Sequence, residues 1–479
     1  MTYTFKTRPY EHQRTALQRA IGRQGYAYLM EMGTGKTKVM IDEMGIMHDS
    51  GQIDCAIIIA PKGVYRNWVR ELATHCGTDY IVDYWESGGG SKTKQAALEK
   101  HLTPRSDRKL RILLVNVEAL SQSGGIADKY ITRFAKSGRC YIGLDESTTI
   151  KNPTATRTKN IIKLGRLCVV RRIATGSPTP NSPLDLFSQF EFLGPGLLGS
   201  TSYFNFRARH AMMQQKDFGG RKVQIVVGYR NVEALTGLVE GHSYRVLKEE
   251  CLDLPAKVYR MVDVDLTDEQ RRLYRQMKDE AFADLAGGAF VSSQSAITTL
   301  LRLQQMLCGH VGDADGNVHP VASNRVDVLM QELEGVRGAA IIWSRFRHEI
   351  AAISEAIRAN YGEDSLAQFH GGNTGTREAD AQRFIDDDKC RFMVSTQQSG
   401  GYGNTWLKGT STFYASNSFN LEHRLQSEDR AHRSGQTEKC TYTDLCAVGT
   451  VDEKLISALR AKINIAETIM GDNPRDWLV

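Results

Sequence analysis

The feature that most restricts what this chain can fold into is a recurring pattern of short, almost unbroken apolar runs separated by helix-like stretches. The early runs are GYAYLM at 25–30, CAIIIAP at 55–61, LRILLVNV at 110–117, CYIGLDE at 140–146 and VVRRIATGS at 169–177. A strand that is apolar at every position, not at alternate ones, is buried on both faces. Such strands belong to parallel sheets covered by helices on each side. A second series follows, with AAIIWSRF at 339–346, SLAQFH at 365–370, RFMVSTQQ at 391–398, STFYASN at 411–417 and TYTDLCAV at 441–448. The pattern predicts an α/β chain with two parallel-sheet lobes. From Leu184 to about His319 the sequence reads mostly helical and polar, with breaks such as FLGPGLLGS and KDFGGRK. Thr267 with Gln270 three residues on predicts a capping box at the head of one helix.

Composition excludes several classes. No apolar run nears the ~18 residues of a membrane span, and the N-terminal MTYTFKTRPY holds no continuous apolar signal core. The nine cysteines include no Cys-x-x-Cys pair, which speaks against a zinc site or disulfide framework and for a reducing, cytoplasmic setting. Lys plus Arg number 61 and Asp plus Glu 55, a balance of +6 that permits a polyanionic partner without demanding one.

One string joins a predicted strand to a predicted helix through glycines: MEMGTGKT, between GYAYLM and KVMIDEMGIMHD. Gly33 and Gly35 let the loop Met32-Gly33-Thr34-Gly35 wrap so that its amide N–H groups converge on phosphate. Lys36 is expected on the β and γ phosphates, and the Thr37 hydroxyl on Mg²⁺. The strict phosphate-loop pattern has glycine where Met30 stands. Downstream, CYIGLDEST ends an apolar run in two acids. A carboxylate at a strand's C-terminal end can hold Mg²⁺, and its neighbour can orient or deprotonate the attacking water. Asp145 is expected at the metal and Glu146 as the general base.

In order along the chain, these strings and several others resemble the Swi/Snf-type ATPases of helicase superfamily two. RPYEHQ at 8–13 is similar to that family's adenine-recognition motif. The similarity implies a nucleotide contact for Arg8 and sets the Gln13 carboxamide, donor and acceptor in one plane, against adenine. IIIAPKGVYRNWVREL at 57–72 resembles the first nucleic-acid motif, LDESTTIKNPTA at 144–155 the acidic box, and ATGSPTPNSPLDLFS at 174–188 the coupling motif. IIWSRF, STQQSGGYGNTW and QSEDRAHRSGQ fall where the later motifs should, and CAVGTVDEKLISAL fits the tail. Arg430 and Arg433 lie three apart, which on a helix places them on one face. The resemblance implies that both are catalytic, reaching a nucleotide held by the other lobe. A guanidinium there is worth ~10³–10⁵ in rate. It also puts Gly403 among the nucleotide-binding residues.

By the same resemblance the fold is two RecA-like lobes with helical insertions between them. The implied boundaries are 1–183 for lobe one, 184–255 for its helical insertion, 256–322 for the interlobe crossing and second insertion, and 323–479 for lobe two. ATP with Mg²⁺ is the implied cofactor, and double-stranded DNA the implied partner of a monomer. Nucleic-acid contacts are expected from Lys62, Arg66, Asn67, Lys151 and Asn152 in lobe one. In lobe two they are expected from Ser344, Arg345, Thr396, Gly400 and Gly401. Trp68 and Trp406 could stack on bases, but core roles are the expectation for both. The expected activity is a DNA-stimulated ATPase that translocates on duplex DNA. The alternatives are a strand-separating DNA or RNA helicase and a nucleotide-gated clamp. The chain departs from the family at Thr148, where a histidine is usual, and at Ser418-Phe419-Asn420-Leu421, which stands for Trp-Asn-Pro. It departs again at SYRVLKEECLDLP, in place of an arginine-rich end. No zinc or histone-reading appendage is legible, so the expectation is a minimal motor core of bacterial or phage source, acting at the nucleoid.

Overall fold

Every apolar run becomes a strand covered on both faces. The structure, a computed structural model, describes residues 3–61, 65–85, 99, 102, 108–218, 221–286, 293–313, 317–400 and 405–470. The chain divides into two compact units, one drawn mostly from residues up to 253, the other mostly from 254–464.

The first unit holds β1 (Gly25–Met30), β2 (Cys55–Ala60), β3 (Tyr80–Trp85), β4 (Leu110–Asn116), β5 (Cys140–Asp145) and β6 (Val170–Ala174). Two further strands, β7 (Ala211–Phe218) and β8 (Arg221–Tyr229), pair only with each other, and most of their residues, 213–227, belong to the second unit. Then β9 (Ser243–Val246) completes a seven-stranded sheet in the order β3-β4-β2-β5-β6-β1-β9. Its pairings are parallel throughout. In β2, Ala56, Ile58 and Ala60 enter one core, while Cys55, Ile57 and Ile59 are buried on the opposite face. Helices α1 (Glu11–Ala20), α2 (Lys36–Asp49) and α3 (Tyr65–His75) supply much of the cover.

The second unit repeats the plan. It contains β10 (Lys257–Asp263), a small antiparallel pair β11 (His310–Gly312) and β12 (Val318–Pro320), then β13 (Ala340–Trp343), β14 (Leu366–Phe369), β15 (Phe392–Ser395), β16 (Ser411–Tyr414) and β17 (Cys440–Cys446). Its parallel sheet runs β10-β17-β16-β13-β15-β14. Ala340 and Ile342 join one core and Ile341 and Trp343 the other, where Trp343 stacks on Trp406 at 5.6 Å. The capping box forms as expected: the Thr267 amide donates to Gln270 Oε1 (3.2 Å) and the Gln270 amide to Thr267 Oγ1 (3.1 Å), heading the helix Asp268–Ala286.

In the two parallel sheets, three strands escape the sequence pattern, and each is a sheet edge: β3, β9 and β10. An edge strand has one paired side, and here each is partly exposed, so no unbroken apolar run marks it. The 184–255 segment also differs from a helical insertion. Besides the helices Leu186–Leu193, Tyr203–His210 and Val232–Gly241 it carries the β7–β8 ribbon and a strand of the first sheet. No helix among the described residues is long and apolar enough to cross a membrane.

Candidate active site

Three loops leave the C-terminal ends of β1, β6 and β5, and β6 lies between the other two strands. The first turns on Gly33 (φ 84°) and Gly35 (φ 87°), left-handed positions that glycine adopts without strain. Thr34 tightens the turn, its amide (3.3 Å) and hydroxyl (2.7 Å) both donating to the Glu31 carbonyl. Lys36 and Thr37 then open α2, whose unpaired amides and dipole favour an anion. Lys36 is almost wholly buried. Gln13 packs against this loop so closely that a Cβ on Gly35 would meet its Nε2 at 2.2 Å. Its Oε1 accepts the Tyr10 amide (3.0 Å) and its Nε2 donates to the Thr34 carbonyl (3.2 Å). Arg8 is exposed and lines an open cleft with Tyr10 and Arg14.

The acidic pair divides its roles by environment. Asp145 is buried at the end of β5; Oδ2 accepts the Trp68 indole N–H (2.9 Å) and Oδ1 the Glu146 amide (3.1 Å). Burial pushes its carboxyl pKa up, while the Trp68 hydrogen bond, the Lys36 charge and the Glu146 amide pull it back. Glu146 is half-buried and held at φ 51°, ψ 64°. A left-handed backbone costs a residue with a side chain on the order of 1–3 kcal/mol, and such strain gathers at functional sites. Its Oε2 accepts the Thr175 hydroxyl at 3.4 Å, a long and weak bond.

The third loop, 175–178, rests on the first. A Cβ on Gly176 would lie 3.2 Å from the Met32 nitrogen and 3.3 Å from the Glu31 Cα. Arg245 of β9 pins the Gly176 carbonyl (2.9 Å). Gln189 joins the loop to the acidic box: its Oε1 accepts the Ser147 hydroxyl (2.6 Å) and its Nε2 donates to the Pro178 carbonyl (2.7 Å). Sequence reasoning assigned no role to Gln189 or Arg245 and placed Trp68 in the core only. Trp68 is fully buried, as expected, yet it also orients Asp145. Among the described residues no three His, Cys, Asp or Glu side chains cluster to hold a metal by themselves. Mg²⁺ keeps waters and phosphate oxygens and needs only one or two protein oxygens, which the expected donors, the Thr37 hydroxyl and the Asp145 carboxylate, would suit.

In the second unit the arginine motif is not helical, which corrects the expectation of a shared helix face. The helix Leu421–Glu428 ends at Asp429, and three-residue turns carry the chain on, with the Arg430 amide on the Ser427 carbonyl (3.3 Å) and Gly435 at φ 97°. The two arginines part company. Arg430 is buried, its Nε donating to the Gln426 carbonyl (3.1 Å). Arg433 is half-exposed, with Nη1 donating to Thr405 Oγ1 (2.8 Å). A buried charged network underlies this turn. Arg424 binds Glu428 (2.9 Å) and grips both oxygens of Asp444, with its guanidinium 3.5 Å over the Tyr414 ring. Glu428 also takes Lys257 (2.9 Å) and the Tyr259 hydroxyl (2.8 Å), and these cations hold its pKa down against burial. Asn417 binds Asp444 and accepts from Gln397 (3.4 Å), carrying the network to the loop after β15.

The expected nucleic-acid contacts fare unevenly. Lys62, Gly401 and Gly403 lie outside the described residues, as does the Arg66 side chain. Asn67 is half-buried and accepts from Arg70; Lys151 is half-buried, and Asn152 is exposed with its Oδ1 closing a turn on the Thr154 amide (3.0 Å). Thr396 and Gly400 flank and end the short helix Gln397–Gly400. Arg345 donates to Gln304. Ser344 is fully buried with its hydroxyl on Glu349 (2.5 Å), so it supports the loop from within and is not a surface contact.

Comparison with known proteins gives the family of the chain. The SNF2-related domain model matches residues 24–311, more than half of the chain. The TATA-binding protein-associated factor mot1 of Schizosaccharomyces pombe is 23% identical over 508 residues, covering 92% of this chain and 25% of that protein. The putative ATP-dependent helicase/translocase YwqA of Bacillus subtilis is 23% identical over 462 residues, covering 94% of this chain and 46% of that protein. The chain therefore spans about a quarter of the fungal relative's length and about half of the bacterial one's. Among solved structures, the Sulfolobus solfataricus SWI2/SNF2 ATPase core in complex with dsDNA is similar at a TM-score of 0.43 and 22% identity, over 95% of this chain and 92% of that one.

Proposed function

The chain belongs to the SNF2-related family of helicase-like ATPase cores, and from that premise we propose that it is an ATP-driven translocase on double-stranded DNA. The observation that carries this reading is the convergence on one sheet edge of a glycine-wrapped loop, a buried lysine, a buried carboxylate and its strained neighbour. The loop amides and Lys36 hold the β and γ phosphates. Thr37 and Asp145 would hold Mg²⁺, which would supply positive charge against that of the phosphates. Glu146 orients the attacking water and accepts its proton, with the Thr175 hydroxyl on its Oε2 helping to place the carboxylate. Arg433, aided by Arg430, stabilises the charge spread over the transferring phosphoryl group in the nucleotide-bound state. The 175–178 loop lies against the phosphate loop and is tied to the acidic box, so it is suited to relay whether a γ phosphate is present. The bacterial relative's description as a helicase/translocase supports the same class of activity.

The test is ATP turnover with and without blunt duplex DNA. Stimulation of about tenfold or more is expected, since DNA that favours the active arrangement shifts the population toward it. Equal rates would overturn the coupled motor. Lys36→Ala should abolish turnover under both conditions. Displacement of a third strand from duplex DNA, without separation of a forked duplex, then distinguishes translocation from unwinding.

A further inference from the structure

Residues 3–8 precede α1 and form neither helix nor strand, yet they are fastened along their length to α2 and to the end of α3. The Tyr3 ring lies over Gly45 of α2, where a Cβ would meet its Cε2 at 2.2 Å. The Tyr3 hydroxyl donates to Asp42 Oδ1 (2.8 Å) and accepts the Gly77 amide (3.2 Å). Asp42 is wholly buried, and its Oδ2 accepts from the Lys38 ammonium (2.7 Å). A carboxylate out of water keeps its charge only when it is bonded in this way. Lys38, itself buried, returns to the segment by donating to the Thr7 carbonyl (3.0 Å). The Thr7 hydroxyl shares a hydrogen bond with His75 Nδ1 (2.6 Å), and Lys6 donates to the Ala73 carbonyl (2.6 Å).

Tyr3, Thr7, Lys38 and Asp42 take no part in the proposed chemistry. What the segment leads to does bear on the nucleotide. Arg8 follows Thr7 directly, and the buried Pro9 leads into α1 with Gln13. A residue before proline is confined to extended backbone, so a pin at Thr7 fixes where Arg8 stands. Lys38 lies in the first turn of α2, two residues past Lys36. One ammonium therefore ties the helix that begins at the phosphates to the strap that ends at the residues expected to face the base.

We propose that Tyr3 and Thr7, held through Asp42, Lys38 and His75, are positioning residues that keep Arg8 and Gln13 in place beside the phosphate loop and so set the preference for adenine over other bases. The proposal rests on the ATPase reading of this site. A strap ordered before the ligand arrives removes an ordering cost from binding, and the gain falls on the base and not on the triphosphate.

The test compares Tyr3→Phe and Thr7→Val, each close to the parent side chain in shape, with the parent full chain in steady-state turnover on blunt duplex DNA. Each variant should raise KM for ATP about fivefold or more, the worth of one lost hydrogen bond, with kcat within about twofold of the parent's. KM for GTP should rise less, so the ratio of kcat/KM for ATP to that for GTP falls. Inhibition by inorganic tripolyphosphate, which fills the phosphate positions alone, should be unchanged. Thermal midpoints equal to the parent's show that a variant is folded, and if one variant fails to fold, the other decides. An equal rise in KM for both nucleotides, together with weaker tripolyphosphate inhibition, would mean general support of the loop and overturn the proposal. Unchanged KM values would overturn it too, and in either case parent turnover of ATP leaves the ATPase reading standing. A parent that hydrolyses ATP and GTP equally well overturns the adenine preference alone. A parent that hydrolyses neither, with or without duplex, overturns both.

Discussion

The two groups of proposed catalytic residues are held in different ways. In the first unit, Asp145, Glu146 and the 175–178 loop are positioned by the neutral donors Trp68, Thr175 and Gln189, by glycine backbones at close approach, and by one charged donor, Arg245 on the Gly176 carbonyl. In the second, the turn bearing Arg430 and Arg433 stands on full charges out of water: Arg424, Asp444, Glu428 and Lys257. A neutral hydrogen bond nets ~0.5–1.5 kcal/mol and can be remade as a ligand comes and goes. Breaking one partner out of a buried ionic network strands a charge and costs about 3–5 kcal/mol. Bonds around the proposed nucleotide residues of the first unit can thus be remade singly, whereas the arginine turn of the second is held by a network that breaks only at high cost.

Substitutions can break or sharpen that contrast. The largest effect is expected at Arg433→Ala: kcat should fall about 10³-fold or more while nucleotide affinity and the thermal midpoint hold, as measured by steady-state turnover, nucleotide titration and melting. A loss below tenfold would remove Arg433 from the chemistry. Arg424→Met should act on the fold first. It leaves Asp444 and Glu428 under-compensated, so a loss of about 3–5 kcal/mol and a midpoint roughly 10 °C lower are expected in calorimetry. An unchanged midpoint would show that the turn does not depend on its ionic base. The smallest effect should come from Trp68→Phe. The indole N–H favours ionised Asp145, so its removal raises an already raised pKa further. Turnover that needs the carboxylate should therefore lose its acid limb at a higher pH, with the plateau changed by less than about tenfold. An unmoved acid limb would mean that the indole only packs.

What the sequence made legible follows from burial. Central strands such as β2 and β13 are apolar on both faces and could be read directly. β10 could not, because its exposure rises and falls along an edge and its register comes from β17, nearly 200 residues on. The ribbon was hidden by mixed polar and apolar text, broken by KDFGGRK, that favours no element until two segments pair. Lys36, Asp145 and Glu146 were legible because strand, loop and helix are local. The non-helical course of Asp429 to Gly435 was not, since tertiary bonds such as the Trp406 amide on the Arg430 carbonyl (2.9 Å) override the helical spacing of the arginines. Gln189 and Trp68 act through partners 42 and 77 residues away, a separation that no local motif encodes.

Gln13 adds a last consequence. Both ends of its carboxamide are already occupied, by the Tyr10 amide and the Thr34 carbonyl. Each end keeps one further position, a second N–H on Nε2 and a second lone pair on Oε1, in a plane that these two bonds already fix. An incoming group at this position would thus meet a carboxamide oriented before it arrives.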